Sequence, residues 1–325
     1  MDWQPSASIE TLVQRARLLG TARNFFTTRG LLEVETPALI AHAVSDPHLC
    51  NVATHLADGR KLWLHTSPEY HMKRLLAAGA PDIWQLAKVF RDGEAGRRHE
   101  PEFTLIEWYR HDYTLRALAD ESCELIAALA GAVGRTLAAP VFLSYRELFL
   151  SAVGIDPLTA DAAMLRNCAR KLLGSGLGTD LQSGLGEDVD AWLDLLMSHV
   201  VSAHLASMEV AVVSGYPASQ AALARIDPHD ERVAERFEVF CSGLEIANGY
   251  RELCAPEEQA RRFGADRATR ARLGRPDVVP DPALLAALEA GLPDCAGIAL
   301  GFDRVVMFLL GLPDIRSGIS FPTGS

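Results

Sequence analysis

The sequence predicts an α+β fold, an antiparallel sheet flanked by helices. Three observations predict it. Two strand-like runs, 83–91 and 103–110, follow one another across a long polar loop. A second pair, 237–241 and 244–247, meets at Ser242-Gly243 as a hairpin, and a closing strand over 296–300 turns at Gly301 into a helix. With 325 residues and ample apolar content, the chain can build a sizeable core.

Ser8 is placed to cap a helix that carries Ile9, Leu12, Val13, Ala16 and Leu19 at helical spacing and stops at Gly30. Residues 31–35 then read as a short strand and 62–65 as another, followed by a helix from Pro68 with Gly79 past its end. After the first strand pair, 115–133 is helical. Two further helices, 160–173 and 189–205, form a helical insertion at about 158–206 within a single domain spanning 1–325; Trp192, Leu195, Leu196 and Val200 share a stripe of the second. Strand character returns at 210–213, and charged helices at 256–273 and 282–290 precede the final strand–helix unit, whose helix begins at Asp303. There is no internal repeat.

The formal net charge of −11 argues against a nucleic-acid partner, since a phosphate backbone is usually met by a basic face. Six cysteines lie scattered without a C-x-x-C pair, so no disulfide framework or zinc ribbon is expected and a reducing, cytoplasmic setting is. The first residues lack a basic, apolar leader, and the apolar run over 300–312 is broken by Asp303 and Arg304, so neither secretion nor a membrane span is expected. His42, His48, His55 and His65 show no zinc spacing with the cysteines, and His199, near an apolar stripe, reads as a core histidine. The run Gly174-Ser175-Gly176-Leu177-Gly178 lacks the lysine of a phosphate-binding loop and reads as a flexible connection.

On a strand over 103–109 the period of two puts Phe103, Leu105, Glu107 and Tyr109 on one face, so that an aromatic plane, a carboxylate and a phenol share one site. The ring can stack on adenine while Glu107 and Tyr109 receive an ammonium group; an amphipathic strand with an exposed glutamate is the plain alternative. Arg91 at the strand end, with Arg97, Arg98 and His99 in the loop, offers donors to a triphosphate, and Arg304 can grip the other end of a bent ATP. A solvated charged loop accounts for the same residues equally well. In the hairpin, Glu238 and Glu245 can hold magnesium through hard oxygen ligands, and Asn248 and Glu252 can face an amino-acid substrate. Strict alternation does not put Glu245 and Asn248 on one face, so a bulge near Asn248-Gly249 is required. Ordinary surface acids on a hairpin are the alternative.

Five segments in order, Thr66-Ser67-Pro68-Glu69, Arg98 through Phe103, Glu107-Trp108-Tyr109, 245–252 and 301–304, resemble the catalytic core of class II aminoacyl-tRNA synthetases, specifically the lysyl branch. The resemblance covers most of the chain outside the helical insertion. Lysyl-tRNA synthetases carry an OB-fold anticodon domain, whereas here the catalytic helix opens near Ser8; the resemblance is therefore to freestanding paralogues that attach (R)-β-lysine to a lysine of elongation factor P. The runs Trp3-Gln4-Pro5-Ser6-Ala7-Ser8 and Tyr216-Pro217-Ala218-Ser219-Gln220 look like those paralogues in particular. A reduced enzyme acting on tRNA and a catalytically silent regulatory paralogue are the other expectations to test.

The resemblance implies ATP and Mg2+, no tRNA, no membrane, a cytoplasmic enzyme, and a homodimer through the motif-1-like run 30–37. It assigns Ser67, Pro68, Glu69, Tyr109 and Glu252 to the substrate pocket, with Glu107 for the distal ammonium and Asn248 beside them. Arg91, Asp92, Gly93, Arg98, His99, Phe103, Glu245, Ile246, Gly301 and Arg304 fall on nucleotide positions, with Arg91 and Arg304 catalytic and Glu238 and Glu245 the magnesium pair. Ala299 stands where lysyl-tRNA synthetases typically have glycine, and its methyl would crowd an α-amino acid while admitting a displaced β-amino group. Two departures stand out: the expected Arg-Asn-Glu reads Arg91-Asp92-Gly93-Glu94, and Glu100 replaces an asparagine before Pro-Glu-Phe, which adds Glu100 to the substrate candidates.

Overall fold

In a computed structural model, which describes residues 3–174, 178 and 184–323, the chain divides into two compact units, 1–136 with 252–325 and 137–251. Most of the glycine-rich run at Gly174 falls outside the described residues.

The first unit opens with helix α1 (Ile9–Thr28), capped as its sequence asks: the Ser8 hydroxyl accepts the Thr11 N–H. Its buried face differs from the expected stripe. Leu18, Ala22, Phe25 and Phe26 are buried, while Ile9 and Val13 are 70% and 54% exposed. The buried aromatics decide the orientation, because Phe26 stacks on Trp84 with ring centroids 4.6 Å apart and also meets Trp108.

Strand β1 (Leu32–Glu33) pairs in parallel with β5 (Ile83–Phe90), which pairs antiparallel with β6 (Glu102–His111), which pairs antiparallel with β12 (Cys295–Gly301). A separate three-stranded sheet, β2 (Leu39–Ile40), β4 (Lys61–Leu64) and β3 (Ala53–His55), leads into α2 (Glu69–Ala77). Of these, β2 and β3 have too few residues to show a period in sequence. The register is fixed across three strands: Ile83 lies opposite Tyr109 and Tyr109 opposite Gly297; Gln85 lies opposite Glu107 and Glu107 opposite Ala299. Directly opposed residues share a face, so this register assembles a row of pocket residues from distant parts of the chain.

The second unit holds an antiparallel set of β11 (Leu244–Arg251), β10 (Asp230–Cys241) and β8 (Ala211–Pro217), with β7 (Val141–Ser144) parallel to β8. Strand β10 is longer than its apolar segment suggests, because its first half is polar. Ser242 and Gly243 both take positive φ, 48° and 75°, as a two-residue primed turn needs. Only glycine fits at 243, since a Cβ there would lie 2.5 Å from the Ser202 carbonyl oxygen. The helices Ala162–Leu173 and Val189–Leu196 pack through Leu165, Ala169, Trp192, Leu193 and Leu196. A π turn over Met197–Val201 interrupts the second helix, and His199 is exposed on it, its Nδ1 3.0 Å from the Leu195 carbonyl. It is not a core histidine: the wider turn takes it off the apolar stripe.

The final helix, Phe302–Leu310, is anchored by Asp303, which is buried, accepts the Thr104 N–H at 2.6 Å and lies 2.5 Å from the Arg15 guanidinium. One carboxylate therefore ties α1, β6 and the last helix together. Removing it leaves Arg15 without its buried counter-charge, and Asp303→Ala is expected to lower stability by about 3–5 kcal/mol in chemical denaturation.

Candidate active site

In the first unit, the side chains expected to receive an amino acid come together in a buried cluster. Glu107 is held by two donors, the Ser67 hydroxyl at 2.7 Å and the Tyr109 hydroxyl at 2.8 Å. Ser67 also accepts the Glu69 N–H at 3.0 Å, which fixes the start of α2. Pro68 stands at the cap position of that helix. Lys73, one turn along α2, reaches Glu69 at 2.7 Å and Glu252 at 2.5 Å. The Lys73 ammonium and the Gly297 N–H both favour the ionised form of Glu252, although neither is a well-aligned hydrogen bond.

Burial raises Glu107 to about 8, with the charge of Glu69 adding to it and the bonds from Ser67 and Tyr109 opposing it. Burial likewise raises Glu252 to about 7, opposed mainly by Lys73. For Lys73, burial disfavours the charge, but Glu252 and Glu69 outweigh it and its pKa is raised, so it stays an ammonium. This is a site short of positive charge.

Three members of the cluster were invisible to motif reasoning. Lys73 carries one signal, its position four residues after Glu69 on a helix. Gln85 is a buried polar residue in a strand whose other polar residue, Lys88, is exposed; it lies opposite Glu107, and its Oε1 has no partner. Gly297 is small because a Cβ there would collide with the Tyr109 ring and with Glu252. Ala299 lies opposite Glu107 and packs beside Phe103 and Leu105, which sets its methyl on the same face as the carboxylate.

The nucleotide candidates of this unit lie further along β5 and β6. The Arg91 guanidinium sits over the Phe103 ring, 5.0 Å from its centroid, with Glu94 3.7 Å away, and its Nε is buried without a partner. Asp92 and Gly93 form an exposed turn, Gly93 at φ 78°. Arg304 Nη2 lies 2.7 Å from the exposed His99 ring, and its Nε donates to the Arg98 carbonyl at 3.3 Å. Gly301 precedes the last helix, whose first turn has no side-chain cap. A phosphate anion suits these groups: a fixed guanidinium with an orphaned N–H lies on an aromatic plane. Glu100 has other work. It is buried, with one oxygen 2.5 Å from Arg316 Nε and the other accepting the Thr323 N–H, so its carboxylate anchors the C-terminal segment.

In the second unit, β11 pairs with β10 so that Asn248 lies opposite Glu238 and Glu245 opposite Phe240. The register slips between Val239 and Phe240, leaving Ile246 as the extra residue. The irregularity required to put Glu245 and Asn248 on one face is therefore present, but at Ile246 and not at Asn248-Gly249. Glu238 accepts the Tyr216 hydroxyl at 2.7 Å and is 2.5 Å from Arg236. Its pKa is raised, first by burial and then by the charge of Glu245. Two carboxylates near enough to disturb one another are a fitting donor set for a hard dication, which relieves their repulsion. Asn248 donates its amide to the Tyr250 hydroxyl at 2.9 Å and keeps its oxygen buried without a partner. Among the described residues, no group of three or more His, Cys, Asp and Glu side chains is placed to hold a metal ion.

Residues 1–325 match the family described as tRNA synthetases class II (D, K and N). The chain is similar to a Yersinia enterocolitica protein named elongation factor P--(R)-beta-lysine ligase, at 46% identity over 327 residues, covering 99% of this chain and 98% of that one. It is 45% identical to the Proteus mirabilis protein of the same name, over 326 residues and 99% and 97% of the two chains.

The raised carboxyls make stability depend on pH. Glu107 has a folded value near 8 against an ordinary 4.5, so its contribution to stability is fully present below about 4.5 and is lost as pH climbs through about 8. Ligand-free protein is expected to lose stability over that window, and Glu107→Gln to flatten part of the slope, as measured by denaturation at a series of pH values.

Proposed function

Because this chain belongs to the class II tRNA synthetase family, we propose that it is an ATP-dependent ligase that activates (R)-β-lysine and transfers it to a lysine side chain of elongation factor P. The observation that carries this reading is the cluster of Glu69, Glu107 and Glu252, with Glu107 on the same strand, β6, as Phe103, over whose ring Arg91 sits: a cation-receiving pocket beside an anion-receiving one. The near full-length likeness to two ligases of that name supports the choice of acceptor and amino acid.

In the first step the substrate carboxylate attacks the α-phosphorus of ATP and pyrophosphate leaves. Two anions must approach, and a planar guanidinium such as Arg91, preorganised on Phe103, stabilises the charge that develops as they do. Arg304 takes the far end of the triphosphate, with His99 beside it. Glu107, Tyr109, Glu69 and Glu252 hold the ammonium groups, and the open oxygen of Gln85 lies in the same row. Glu238 and Glu245 would hold Mg2+, which supplies positive charge to neutralise phosphate oxygens. In the second step an unprotonated lysine amine of the acceptor attacks the mixed anhydride and AMP departs. None of the six cysteines is required.

A homodimer follows from exposed apolar surface on the first unit. Ile9 and Val13 on α1 and Leu32 on β1 are 70%, 54% and 50% exposed. Sedimentation is expected to give a dimer at micromolar concentration. No helix among the described residues is long and apolar enough to cross a membrane.

Incubation with ATP, magnesium, β-lysine and elongation factor P is expected to add one β-lysyl group to the acceptor, read by mass spectrometry. Charging of tRNA in place of the protein, or no transfer, would overturn the proposal. Ala299→Gly is expected to raise pyrophosphate exchange with α-lysine relative to β-lysine by about tenfold, the range a single methyl commands in a tight pocket.

A further inference from the structure

Lys73 is the charged member of the pocket to which the proposed chemistry gives no task. Its side chain is 2% exposed and bridges Glu69 on its own helix and Glu252 after β11. The other titratable groups around it are Tyr70 on α2, Glu107 and Tyr109 on β6, and Cys295 on β12. Burial pushes both phenols and the thiol up, so none of these three carries charge near neutrality. His71, the remaining titratable neighbour on α2, is held down by burial and by Arg74 and is neutral as well.

Three carboxylates and one ammonium are left. Without ligand, Glu107, raised to about 8, keeps a proton near neutrality; with all three ionised, as receiving ammonium groups requires, the cluster is two positive charges short of balance. A buried carboxylate without a counter-charge is strongly disfavoured, so the occupant that completes the site brings two ammonium groups. A monoamine leaves one carboxylate either unpaired or obliged to hold a proton.

We propose that Lys73 is a specificity-determining positioning residue: by neutralising one of three clustered carboxylates, the buried Glu107 and Glu252 and the partly buried Glu69, it sets the pocket to accept amino acids with two ammonium groups and to reject those with one. This rests on the reading of the cluster as the amino-acid pocket, and it deepens that reading from a named substrate to a rule about charge. Loss of the ammonium would leave the carboxylates three charges short. Removing an opposite charge at this distance raises a carboxylate pKa by about 1–3 units. Because the substrate is received by ionised carboxylates, the acid limb of kcat/KM moves to higher pH.

Wild-type pyrophosphate exchange with β-lysine, established first, keeps failure of the site assignment separate from failure of this proposal. The test then compares β-lysine with 6-aminohexanoate, a monoamine that keeps the carboxylate and the distal ammonium. It uses the wild type, Lys73→Met, and the double variant Lys73→Met with Glu69→Gln, whose pocket is again two charges short. The wild type is expected to favour the diamine by at least about 100-fold in kcat/KM, since an unpaired buried polar group is what gives sites large discrimination. Lys73→Met is expected to move the acid limb up by about one unit or more with KM for ATP unchanged, and the double variant to move it back. Equal use of both amino acids by the wild type overturns the proposal, as does a Lys73→Met limb that coincides with the wild type. Should the single variant fail to fold, a folded double variant decides: preference for the diamine supports the charge rule, and loss of it overturns the rule.

Discussion

Burying several carboxylates in one place is the constraint to which the first unit is fitted. Desolvation pushes Glu107 and Glu252 toward the protonated form, and the chain offsets part of that push with nearby partners. A hydroxyl from the residue preceding Pro68 and a phenol two places along the same strand hold Glu107, and an ammonium one helical turn from Glu69 bridges two more acids. The compensation stops short of neutrality. That shortfall separates a binding pocket from a structural ion cluster, since a fully balanced group of charges has nothing left to offer a ligand.

The same segments that make the site also make the frame. In the run 301–304, Arg304 points its guanidinium to His99, while its neighbour Asp303 is buried against Thr104 and Arg15. A strand–helix junction thus turns one charge outward to His99 and one inward for stability. Likewise Gly297 is a space requirement: the aromatic ring of Tyr109 and the carboxylate of Glu252 meet above it, and no side chain fits between.

Much of this was legible in the sequence where a short-range period decides the outcome. The pairing of 83–91 with 103–110 and the shared face of Phe103, Glu107 and Tyr109 follow from alternation, and the Ser8 cap and the Ser242-Gly243 turn follow from backbone chemistry. What long-range packing decides was not legible. The buried face of α1 is set by Trp84 and Trp108, not by the stripe that begins at Ile9. The slip at Ile246 was required in kind but not locatable, because either of two neighbouring positions satisfies the face rule and only pairing with β10 selects one. Glu100 looked like a pocket acid until Arg316, more than two hundred residues away, claimed it. Lys73 and Gln85 belong to the pocket through register and helix phase, which no linear motif records.

The protonation of Lys73 has a chemical corollary. An enzyme whose amino-acid pocket, as proposed, contains a lysine of its own risks becoming its own acceptor once the acyl anhydride forms. Amines attack only through a free lone pair, and the two acids flanking Lys73 keep that pair occupied by a proton. Lys61, Lys88 and Lys171, the other lysines of the chain, lie exposed on the surface. Under the proposed reading of this cluster as the amino-acid pocket, the carboxylate bridge works as a chemical safety catch, keeping a pocket amine inert while a foreign amine is acylated.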